Sequence, residues 1–410
     1  MKAVVIGPGR VGLGFAGHLL HRSGYQICFV GRRRAVAPLM AAGEYVVRLT
    51  DGHRLHEDRV SGVSAIDISC SSEVEQAIAD ADVVCTAVGP RALDSVAPLL
   101  ARGLSAAKQQ VNVIAFENAE DAGRRLRRLV AEQVGFEHAG RHGFSGAVVS
   151  RVVAHRLPPE RPGDPLVLIG EPHTEFAVDA AALNHPLPRI EGLVAVDDFT
   201  AFYRRKLYRY SAGHAATAYL GQLKGYRYLH AAIRDPEIAQ LVRAAVREGQ
   251  AGLRAAYGPH VAGDDAEVEA IIDRFGNAEL GDTVARVGRD VPRKLGPSDR
   301  LLGAARLAEH AGVAPVRLAQ AAAAALCFKD GGDPPVVAPR EGTASGRSRV
   351  ARLLSGIGHL PPTSPLARLI QNEWQGLMDG WEDGNLMLSL EDRLWAWSSN
   401  SHAPAGRLAS

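Results

Sequence analysis

Three polar side chains in the stretch KLYRYSAGHAATAYLGQLKGY, residues 206–226, have types and spacings that suit proton-transfer chemistry. Lys206, Ser211 and His214 are five and three residues apart in a run that favours a helix. A turn of about 100° per residue places them at about 0°, 140° and 80°, on one face. A lysine, a hydroxyl and an imidazole facing one cleft can move a proton to or from a substrate hydroxyl. The alternative is an ordinary amphipathic helix, since polar residues commonly share a face.

The chain opens with MKAVVIGPGRVGLGFAGHLLHRSG, which combines a short apolar strand, a glycine motif and a helical pattern. Gly7, Gly9 and Gly12 form G-x-G-x-x-G, whose glycines make the tight turn, the close approach to a pyrophosphate and the helix–strand contact. The helix start then offers free N–H groups to phosphates. We predict that these glycines, with Arg10 and Val11, bind a dinucleotide. A glycine-rich turn without a nucleotide is the alternative.

The second predicted strand spans residues 25–30, and the residues that follow it indicate which dinucleotide binds. NAD-preferring sites usually place Asp or Glu there to hold the ribose 2′-hydroxyl. This chain has Gly31-Arg32-Arg33-Arg34 instead, and guanidinium groups grip a phosphate that a carboxylate would repel. The sequence therefore predicts Arg32 and Arg33 as cofactor ligands, with NADP(H) preferred and NAD(H) the second choice. The alternative is a solvated turn.

Two further predicted strands end in residues that would line the cofactor cleft. ADVVCTAVGP carries Val88 and Gly89 at its end, and VNVIAFEN ends in Glu117 and Asn118. Ligands bind beyond the carboxyl ends of parallel strands, so Val88, Gly89 and Glu117 are predicted at the cofactor. The Asn118 amide could donate to a developing alkoxide. A turn-forming asparagine is the alternative.

The order of these elements predicts an α/β fold with two domains, because 410 residues exceed what one core usually supports. Strands and helices alternate through the first 120 residues, as a doubly wound parallel sheet requires, and the later pattern is helical. We expect an N-terminal Rossmann domain over residues 1–195 and a mostly α-helical C-terminal domain over residues 196–410. The turn formers in 331–348 predict a loop.

Composition narrows the class of partner. A net charge of +2 favours neither nucleic acid nor an anionic membrane surface, and no apolar run reaches the length of a membrane span. The four cysteines are scattered, without a Cys/His cluster at metal-ligand spacing, and the first residues lead straight into a strand. We expect a cytoplasmic monomer or homodimer that acts on a small molecule without a metal.

Five segments in matching order carry a resemblance to a known family: GPGRVGLGF, TAVGPRALDSVAPLLARGL, NVIAFEN, the run beginning at Lys206, and RFGNAELGDTVARVGRDVPRKLGPSDRL. Together they resemble the polyol-specific long-chain dehydrogenases, most of all the mannitol-1-phosphate 5-dehydrogenase branch, over roughly residues 1–330. The resemblance implies a Rossmann domain followed by a helical domain and metal-free hydride transfer. It also implies that Lys206 is the general acid/base, that Asn118 stabilises the oxyanion, and that His214 orients the substrate.

The chain departs from that family's pattern near the predicted lysine. Ser211 stands where the resemblance implies a second oxyanion asparagine, and losing one such donor can cost about a hundredfold or more in rate. The segment similar to FPNSAVDR reads FSGAVVSR at residues 144–151, and Arg204 replaces a glutamate. We therefore expect a different phosphorylated, carbohydrate-like alcohol or ketone rather than mannitol 1-phosphate itself.

A basic segment near residue 290 suits a substrate phosphate. Arg289, Arg293 and Lys294 lie in RVGRDVPRKLGPSDRL, and the two arginines would share a face if that segment is helical. Binding a remote phosphate there would help to orient the reacting carbon. Arg204 is a weaker candidate for the same task. The alternative is that nearby acids, such as Asp290, simply pair with these cations.

These observations predict an NAD(P)-dependent oxidoreductase that interconverts a secondary alcohol and a ketone on a polyol- or sugar-like substrate. In the oxidation direction neutral Lys206 would remove the hydroxyl proton, so burial or cationic neighbours such as Arg205 are expected to lower its pKa. One rival is a reductase of the same architecture acting on ketopantoate or another 2-keto acid. The other is a non-catalytic NADP-binding sensor, which predicts cofactor binding without turnover.

Overall fold

The computed structural model describes residues 1–161, 163–329 and 343–382. The chain divides into two compact units. The first contains Met1–Tyr210 and Tyr257–Asp282, and the second contains Ser211–Ala256 and the described residues from Thr283 onward. Within these ranges no helix is long and apolar enough to cross a membrane. The same ranges contain no group of three or more His, Cys, Asp or Glu side chains arranged to hold a metal ion.

All twelve strands of the described ranges belong to the first unit. In chain order they are β1 Lys2–Ile6, β2 Gln26–Gly31, β3 Glu44–Thr50, β4 Leu55–Ser61, β5 Ser64–Asp67, β6 Val83–Thr86, β7 Asn112–Ala115, β8 Gly143–Val149, β9 Val153–Leu157, β10 Leu166–Gly170, β11 Phe176–Asp179 and β12 Leu193–Val196.

Helices occur in both units. The α-helices up to residue 257 are α1 His18–Arg22, α2 Arg33–Ala42, α3 Ser71–Ala79, α4 Leu93–Ala106, α5 Ala122–Val134, α6 Phe136–Gly140, α7 Phe199–Arg205, α8 Ala212–Leu223, α9 Leu229–Arg234 and α10 Pro236–Tyr257. The later ones are α11 Pro259–Ala262, α12 Asp265–Phe275, α13 Val284–Gly288, α14 Val291–Lys294, α15 Leu302–His310, α16 Val316–Leu326, α17 Thr343–Gly356 and α18 Pro365–Glu382. Short 3-10 helices span Pro90–Ala92, Ala180–Ala182 and Ala278–Leu280, and π-helices span Gly12–Gly17 and Lys206–Ser211.

The main sheet of the first unit has eight strands in the order β12-β11-β8-β7-β6-β1-β2-β5. Its pairs are parallel except for β8 with β11. The chain leaves β1 toward β2 on one side and returns to β6 on the other, so the strand order reverses between β1 and β6. Ligands bind at such a switch point, beyond the carboxyl ends of the strands. The predicted Rossmann fold is confirmed.

Residues of the central strands alternate between two hydrophobic cores, one on each face of the main sheet. On β1, Ala3 and Val5 belong to one core, while Val4 and Ile6 belong to the other. Successive side chains of a strand point to opposite faces, so a strand buried on both sides reads as a continuous apolar run. This explains why residues 3–6 of β1, AVVI, include no polar residue. Polar residues that bind a ligand are therefore expected beyond the ends of the strands.

A second, four-stranded sheet in the order β4-β3-β10-β9 completes the first unit. Its β3 and β10 are parallel, and the two edge pairs are antiparallel. The sheet packs on the glycine-rich segment, because a Cβ placed on Gly14 would lie 2.8 Å from a methyl group of Val153 on β9. The second sheet is therefore part of the surroundings of the predicted dinucleotide site.

A buried histidine also links the glycine-rich segment to the second sheet. His18 Nε2 lies 2.8 Å from Asp58 Oδ2, and Arg151 Nη1 lies 3.0 Å from His18 Nδ1. Arginine can only donate, so Nδ1 accepts and the neutral ring donates from Nε2 to Asp58. Burial lowers the pKa of His18 to about 4 against the effect of the Asp58 hydrogen bond, and the Arg151 and Arg22 charges act in the same direction as burial.

The free energy of unfolding should therefore decrease as the pH falls from about 6.5 toward 4. In that pH range His18 becomes protonated in the unfolded chain but not in the native protein. The free energy of unfolding should therefore be about 2 kcal/mol lower at pH 5 than at pH 7. Urea unfolding of the wild type and of His18→Gln, at pH 7 and at pH 5, measures this difference. Glutamine keeps a donor and an acceptor without titrating, so the variant should lose that part of the pH dependence. Equal pH dependence in both proteins would contradict the assignment.

The second unit is built from helices around α16, whose residues are all buried. The Glu248 carboxylate on α10 accepts hydrogen bonds from the backbone N–H groups of Arg317 and Leu318, at 2.8 and 2.9 Å, in the first turn of α16. Burial raises the pKa of Glu248 to about 7. A helix start leaves N–H groups unpaired, so this carboxylate stabilises the entry of the alanine-rich helix.

The loop predicted over residues 331–348 is partly wrong. Residues 331–342 lie outside the described part of the chain, whereas residues 343–348 are the first turns of α17. A Cβ on Gly346 would collide with the ring of Trp374 on α18. The small residues of this segment therefore allow close packing of α17 on α18, rather than forming a turn.

Candidate active site

The glycine-rich turn after β1 has the geometry that the sequence predicts. Gly7 has a φ of +102°, and a Cβ there would lie 2.6 Å from the carbonyl oxygen of Ala87. A Cβ on Gly12 would collide with the carbonyl oxygen of Gly7. A Cβ on Gly9 would meet nothing within 4 Å, so the space in front of Gly9 can hold a pyrophosphate.

The two residues between these glycines differ in their surroundings. Arg10 donates from Nη1 to the carbonyl oxygen of Ala154 on β9, at 3.0 Å. Arg10 and Val11 are the first helical residues, and the helix continues as the π-helix Gly12–Gly17 rather than with regular α-helical turns. The Arg10 side chain thus ties the turn to the second sheet, while backbone N–H groups at the helix start face the turn.

A cavity of about 700 Å³ lies in front of the turn, at the switch point of the sheet. Gly7 and Gly9 line one part of it, and Val88 lines another. Its remaining walls include the residues that follow β2. None of the described residues that line it is acidic. The cavity therefore lies where Rossmann folds bind a dinucleotide, and its described charged lining residues are all cationic.

The three consecutive arginines after β2 do not share one environment. Arg32 and Arg34 line the cavity. Arg33 is the first residue of α2, and its Nη1 lies 3.9 Å from Met40 Sδ on the same helix. Arg156 from β9 also lines the cavity, and no local pattern in the sequence indicated it.

Glu117 holds the turn that follows β6. Its carboxylate accepts hydrogen bonds from Thr86 Oγ1 at 2.7 Å and from the Val88 backbone N–H at 2.8 Å. Burial raises the pKa of Glu117. The turn continues through Gly89, which has a φ of +93°. Glu117 therefore supports the cavity wall that carries Val88.

Two of the predicted catalytic residues are in contact although 88 positions separate them in the chain. Lys206 follows the last residue of α7, and its Nζ donates to Asn118 Oδ1 at 3.2 Å. Asn118 lies just beyond the carboxyl end of β7, where Rossmann folds place ligand-binding residues. A lysine and an amide are thus brought together beside the predicted cofactor edge.

Lys206 also lines a second cavity of the first unit, about 290 Å³ in volume. Ser150, which follows β8, contributes to its wall at the position where the family resemblance implies an aspartate. Arg205, Arg209 and Arg274 contribute as well. The cavity beside the lysine is therefore lined by several cations and by two glutamates, Glu175 and Glu267, and it lacks the expected aspartate.

The cations of this cavity are held by two glutamates. Glu267 Oε2 accepts from Arg205 at 2.7 Å and from the buried Arg209 at 2.8 Å. Glu171 pairs with Arg274 at 2.7 Å. The spacing of four between Arg205 and Arg209 suggests a shared face, but sequence reasoning missed both glutamates because they lie in distant segments.

The helix that carries Lys206 departs from the geometry assumed in the sequence analysis. Residues Lys206–Ser211 form a π-helix, whose i→i+5 hydrogen bonds place the sixth residue above the first. The angle of 140° expected between Lys206 and Ser211 is therefore wrong, because it assumes a regular α-helix. Ser211 is buried and His214 is half-buried in the second unit. Their grouping with Lys206 stays a prediction.

Arg204, the weaker phosphate candidate, already has two partners in the first unit. Its Nη1 donates to Tyr257 Oη at 2.6 Å, and its Nη2 lies 3.2 Å from Glu120 Oε1. These contacts attach the end of α7 to its surroundings. They make a structural role the simpler account of the arginine that replaces the family glutamate.

The expectation that Arg289 and Arg293 share a helical face is wrong. α13 ends at Gly288 and α14 begins at Val291, with Asp290 between them at a φ of +62°. A helix does not continue through a left-handed residue. Arg293 pairs with Asp290 at 2.6 Å and with Asp299 at 3.3 Å, as the ion-pair alternative predicted.

Lys294 is buried in the second unit. Its Nζ donates to the carbonyl oxygen of Val287 and lies 5.8 Å from the centroid of the Tyr219 ring. Burial, followed by the charges of Arg300 and Arg293, lowers the pKa of Lys294 to about 7. An arriving anion would favour the charged form of this lysine.

Comparison with known families covers most of the chain. The family description "Mannitol dehydrogenase Rossmann domain" matches residues 1–192. The description "Mannitol dehydrogenase C-terminal domain" matches residues 198–343. The boundary expected between residues 195 and 196 stays a prediction, and the two compact units of the structure divide instead after Tyr210.

Individual relatives are similar over nearly their whole length. A mannitol-1-phosphate 5-dehydrogenase from Brevibacillus brevis is 38% identical over 339 residues, which is 80% of this chain and 86% of that protein. One from Paenarthrobacter aurescens is 36% identical over 382 residues, which is 90% of this chain and 97% of that protein.

Solved structures share the fold at low sequence identity. Mannitol 2-dehydrogenase from Pseudomonas fluorescens, in a ternary complex with NAD and D-mannitol, aligns with a TM-score of 0.74 at 17% identity, covering 98% of this chain and 95% of that one. A D-sorbitol dehydrogenase aligns with a TM-score of 0.70 at 15% identity, covering 94% and 93%. The chain therefore belongs to the mannitol dehydrogenase family and is an oxidoreductase acting on CH–OH groups.

Proposed function

We propose that this oxidoreductase interconverts a secondary alcohol and a ketone on a phosphorylated, polyol-like substrate, with NADP(H) preferred over NAD(H). The observation that carries the proposal is the hydrogen bond from Lys206 Nζ to Asn118 Oδ1, 3.2 Å long, beyond the carboxyl end of β7. This hydrogen bond joins an acid/base group to an amide beside the edge of the sheet at which the cofactor is predicted to bind. The names of the relatives, mannitol-1-phosphate 5-dehydrogenases, support a phosphorylated polyol.

The cofactor proposal rests on the charge of the first cavity. Arg32 and Arg34 line the wall that follows β2, where an NAD site would place a carboxylate for the ribose 2′-hydroxyl. None of the described lining residues is acidic. When bound, the nicotinamide supplies hydride exchange with the carbinol carbon. The protein's part is to seat the pyrophosphate at Gly7 and Gly9 and to provide the proton transfer.

In the proposed mechanism Lys206 removes the hydroxyl proton in the oxidation direction and returns a proton in the reverse direction. Asn118 accepts from Lys206 through Oδ1, so its Nδ2 is turned away to donate to the substrate oxygen as negative charge develops. The roles predicted for Ser211, as a second donor, and for His214, as the orienting imidazole, belong to the same proposal.

A phosphate on the substrate suits the charges available in each unit. In the first unit the Lys206 cavity is lined by Arg205, Arg209 and Arg274, which outnumber the two glutamates that also line it, Glu175 and Glu267. Ser150 stands where an aspartate would repel an anion. In the second unit Arg293 and Lys294 retain the phosphate-binding role predicted from the sequence, together with the more exposed Arg289. Residues with paired carboxylates can still bind phosphate, because a dianion competes with a single carboxylate for guanidinium donors.

A panel of carbonyl substrates tests the function. The ketone made by oxidising mannitol 1-phosphate at carbon 5 is fructose 6-phosphate, so NADPH oxidation should be followed with that sugar phosphate, other phosphorylated ketoses, and fructose. We expect kcat/KM to be at least about a hundredfold higher for a phosphorylated ketose than for its unphosphorylated form, because phosphate binding orients the reacting carbon.

Other results would point to the rival functions. Turnover of ketopantoate or another 2-keto acid, without turnover of ketoses, would replace the polyol proposal with a keto-acid reductase. Tight NADPH binding without turnover of any carbonyl would indicate a sensor. A cytoplasmic location, a monomeric or homodimeric state, and the absence of nucleic-acid and membrane partners stay predictions from the sequence.

A further inference from the structure

Strand β9 of the second sheet is fixed to the cofactor cavity at two points. Arg10, in the glycine-rich turn, donates to the carbonyl oxygen of Ala154 at 3.0 Å. Arg156 donates from Nη2 to the carbonyl oxygen of Ala35 in the first turn of α2, at 3.1 Å. Consequently the Arg156 guanidinium is held against the residues that follow β2, where the ribose of a bound dinucleotide would lie.

The Arg156 guanidinium has unused hydrogen-bonding capacity. Its Nε is buried and has no hydrogen-bond partner among the described residues. In the same part of the chain no carboxylate pairs with it, and burial lowers the pKa of Arg156. A partly buried cation without a counter-charge is unfavourable. An anion bound in the cavity would supply that counter-charge.

Arg156 lines the cavity together with Arg32 and Arg34, but from a different element and in a different environment. Arg32 and Arg34 are exposed at the start of α2, while Arg156 is partly buried on β9. Charges near solvent are screened by water and salt, and partly buried ones are screened less. The three arginines therefore line the same cavity, and the least screened of them belongs to the second sheet.

We infer that Arg156 is a specificity-determining residue that binds the 2′-phosphate of NADP(H) from the second sheet, together with Arg32 and Arg34 from the start of α2. This inference rests on the proposed NADP(H) preference and identifies the residue that contributes most to it. Arginine suits the task because its guanidinium stays charged and carries several donors. Nε is buried and Nη2 donates to Ala35, so Nη1 is the nitrogen left to meet a phosphate oxygen.

Calorimetric titration of wild type, Arg156→Gln and Arg54→Gln with NADPH, NADH, 2′,5′-ADP and 5′-ADP tests the inference. Arg54 is the matched control, because it is an exposed arginine between β3 and β4 of the same sheet and does not line the cavity. Arg156→Gln should weaken NADPH and 2′,5′-ADP about tenfold or more, since a charge-assisted pair is lost. NADH and 5′-ADP should change by less than about twofold, and Arg54→Gln should leave all four within about twofold.

The same titrations separate failure of this inference from failure of the proposed function. A wild type that prefers NADPH, with Arg156→Gln binding it as tightly, would overturn the role of Arg156 and leave the NADP(H) proposal standing. An equal loss for all four ligands would show that Arg156 only supports the fold of the cavity. NADH preference in the wild type would overturn both statements. Retained NADH binding in Arg156→Gln serves as the check that the variant is folded.

Discussion

Lys206→Ala is expected to lower kcat for ketose reduction by about a thousandfold or more, because it removes the group proposed to transfer the proton. The dissociation constant for NADPH should stay within about twofold, since the effect falls on the chemical step and not on cofactor binding. Steady-state rates with the best substrate of the panel, together with calorimetric titration of NADPH, measure both quantities. Wild-type turnover in the variant would remove Lys206 from the mechanism.

Lys206→Arg is the matched control for charge and contact. Arginine keeps a cation that can donate to Asn118, but a guanidinium does not lose its proton in proteins. If Lys206 acts through proton transfer, the arginine variant should be about as inactive as the alanine variant. If the lysine only holds Asn118 in place through the 3.2 Å hydrogen bond, the arginine variant should recover most of the activity.

Gly12→Ala is expected to weaken dinucleotide binding by at least about a hundredfold and to lower the free energy of unfolding by about 3 kcal/mol. The added methyl group would collide with the carbonyl oxygen of Gly7, so the turn that seats the pyrophosphate would have to open. The Cβ would be attached to the backbone of residue 12, and the oxygen belongs to the backbone of Gly7. Neither can move without a shift of the backbone at the junction of β1 and its helix. Calorimetry with NADPH and urea unfolding measure the two effects.

Gly9→Ala separates the two effects. A Cβ at Gly9 meets nothing within 4 Å, so the free energy of unfolding should change by less than about 1 kcal/mol. The methyl group would nevertheless occupy the space predicted for the pyrophosphate, so NADPH binding should still weaken. Unchanged NADPH affinity in Gly9→Ala would show that the dinucleotide does not cross this turn.

The glycine motif and the Lys206–Asn118 pair illustrate what could be predicted before the fold was known. The turn requires a positive φ at Gly7 and a close contact between Gly12 and the carbonyl oxygen of Gly7. Both requirements are local, so both glycines can be recognised in the sequence. Asn118 could be placed because strand ends of a parallel sheet meet at one edge. Its contact with Lys206 is consistent with that rule and with the family resemblance.

Other features were misjudged because short-range patterns are ambiguous. The series from Lys206 to Ser211 has helical composition, but nothing in it distinguishes a π-helix from an α-helix. The basic segment near Asp290 has helical spacing, yet a left-handed residue breaks it. The segment at Gly346 contains turn formers, yet its small residues serve the packing of α17 against Trp374.

By itself, the sequence determined the Rossmann architecture and the geometry of the glycine turn, because the order of the elements and the dihedral angles of one short segment are encoded locally. The acid/base role of Lys206 came from the family resemblance and stays a proposal. Only the tertiary structure decided which cations face the cofactor cavity and which acids hold those beside Lys206. Arg156 meets Ala35 across 121 residues, and Arg209 meets Glu267 across 58. Such pairs form because folding brings distant elements together and because a buried charge or polar group is unfavourable unless it is paired. The spacing of residues within one segment does not encode these pairs.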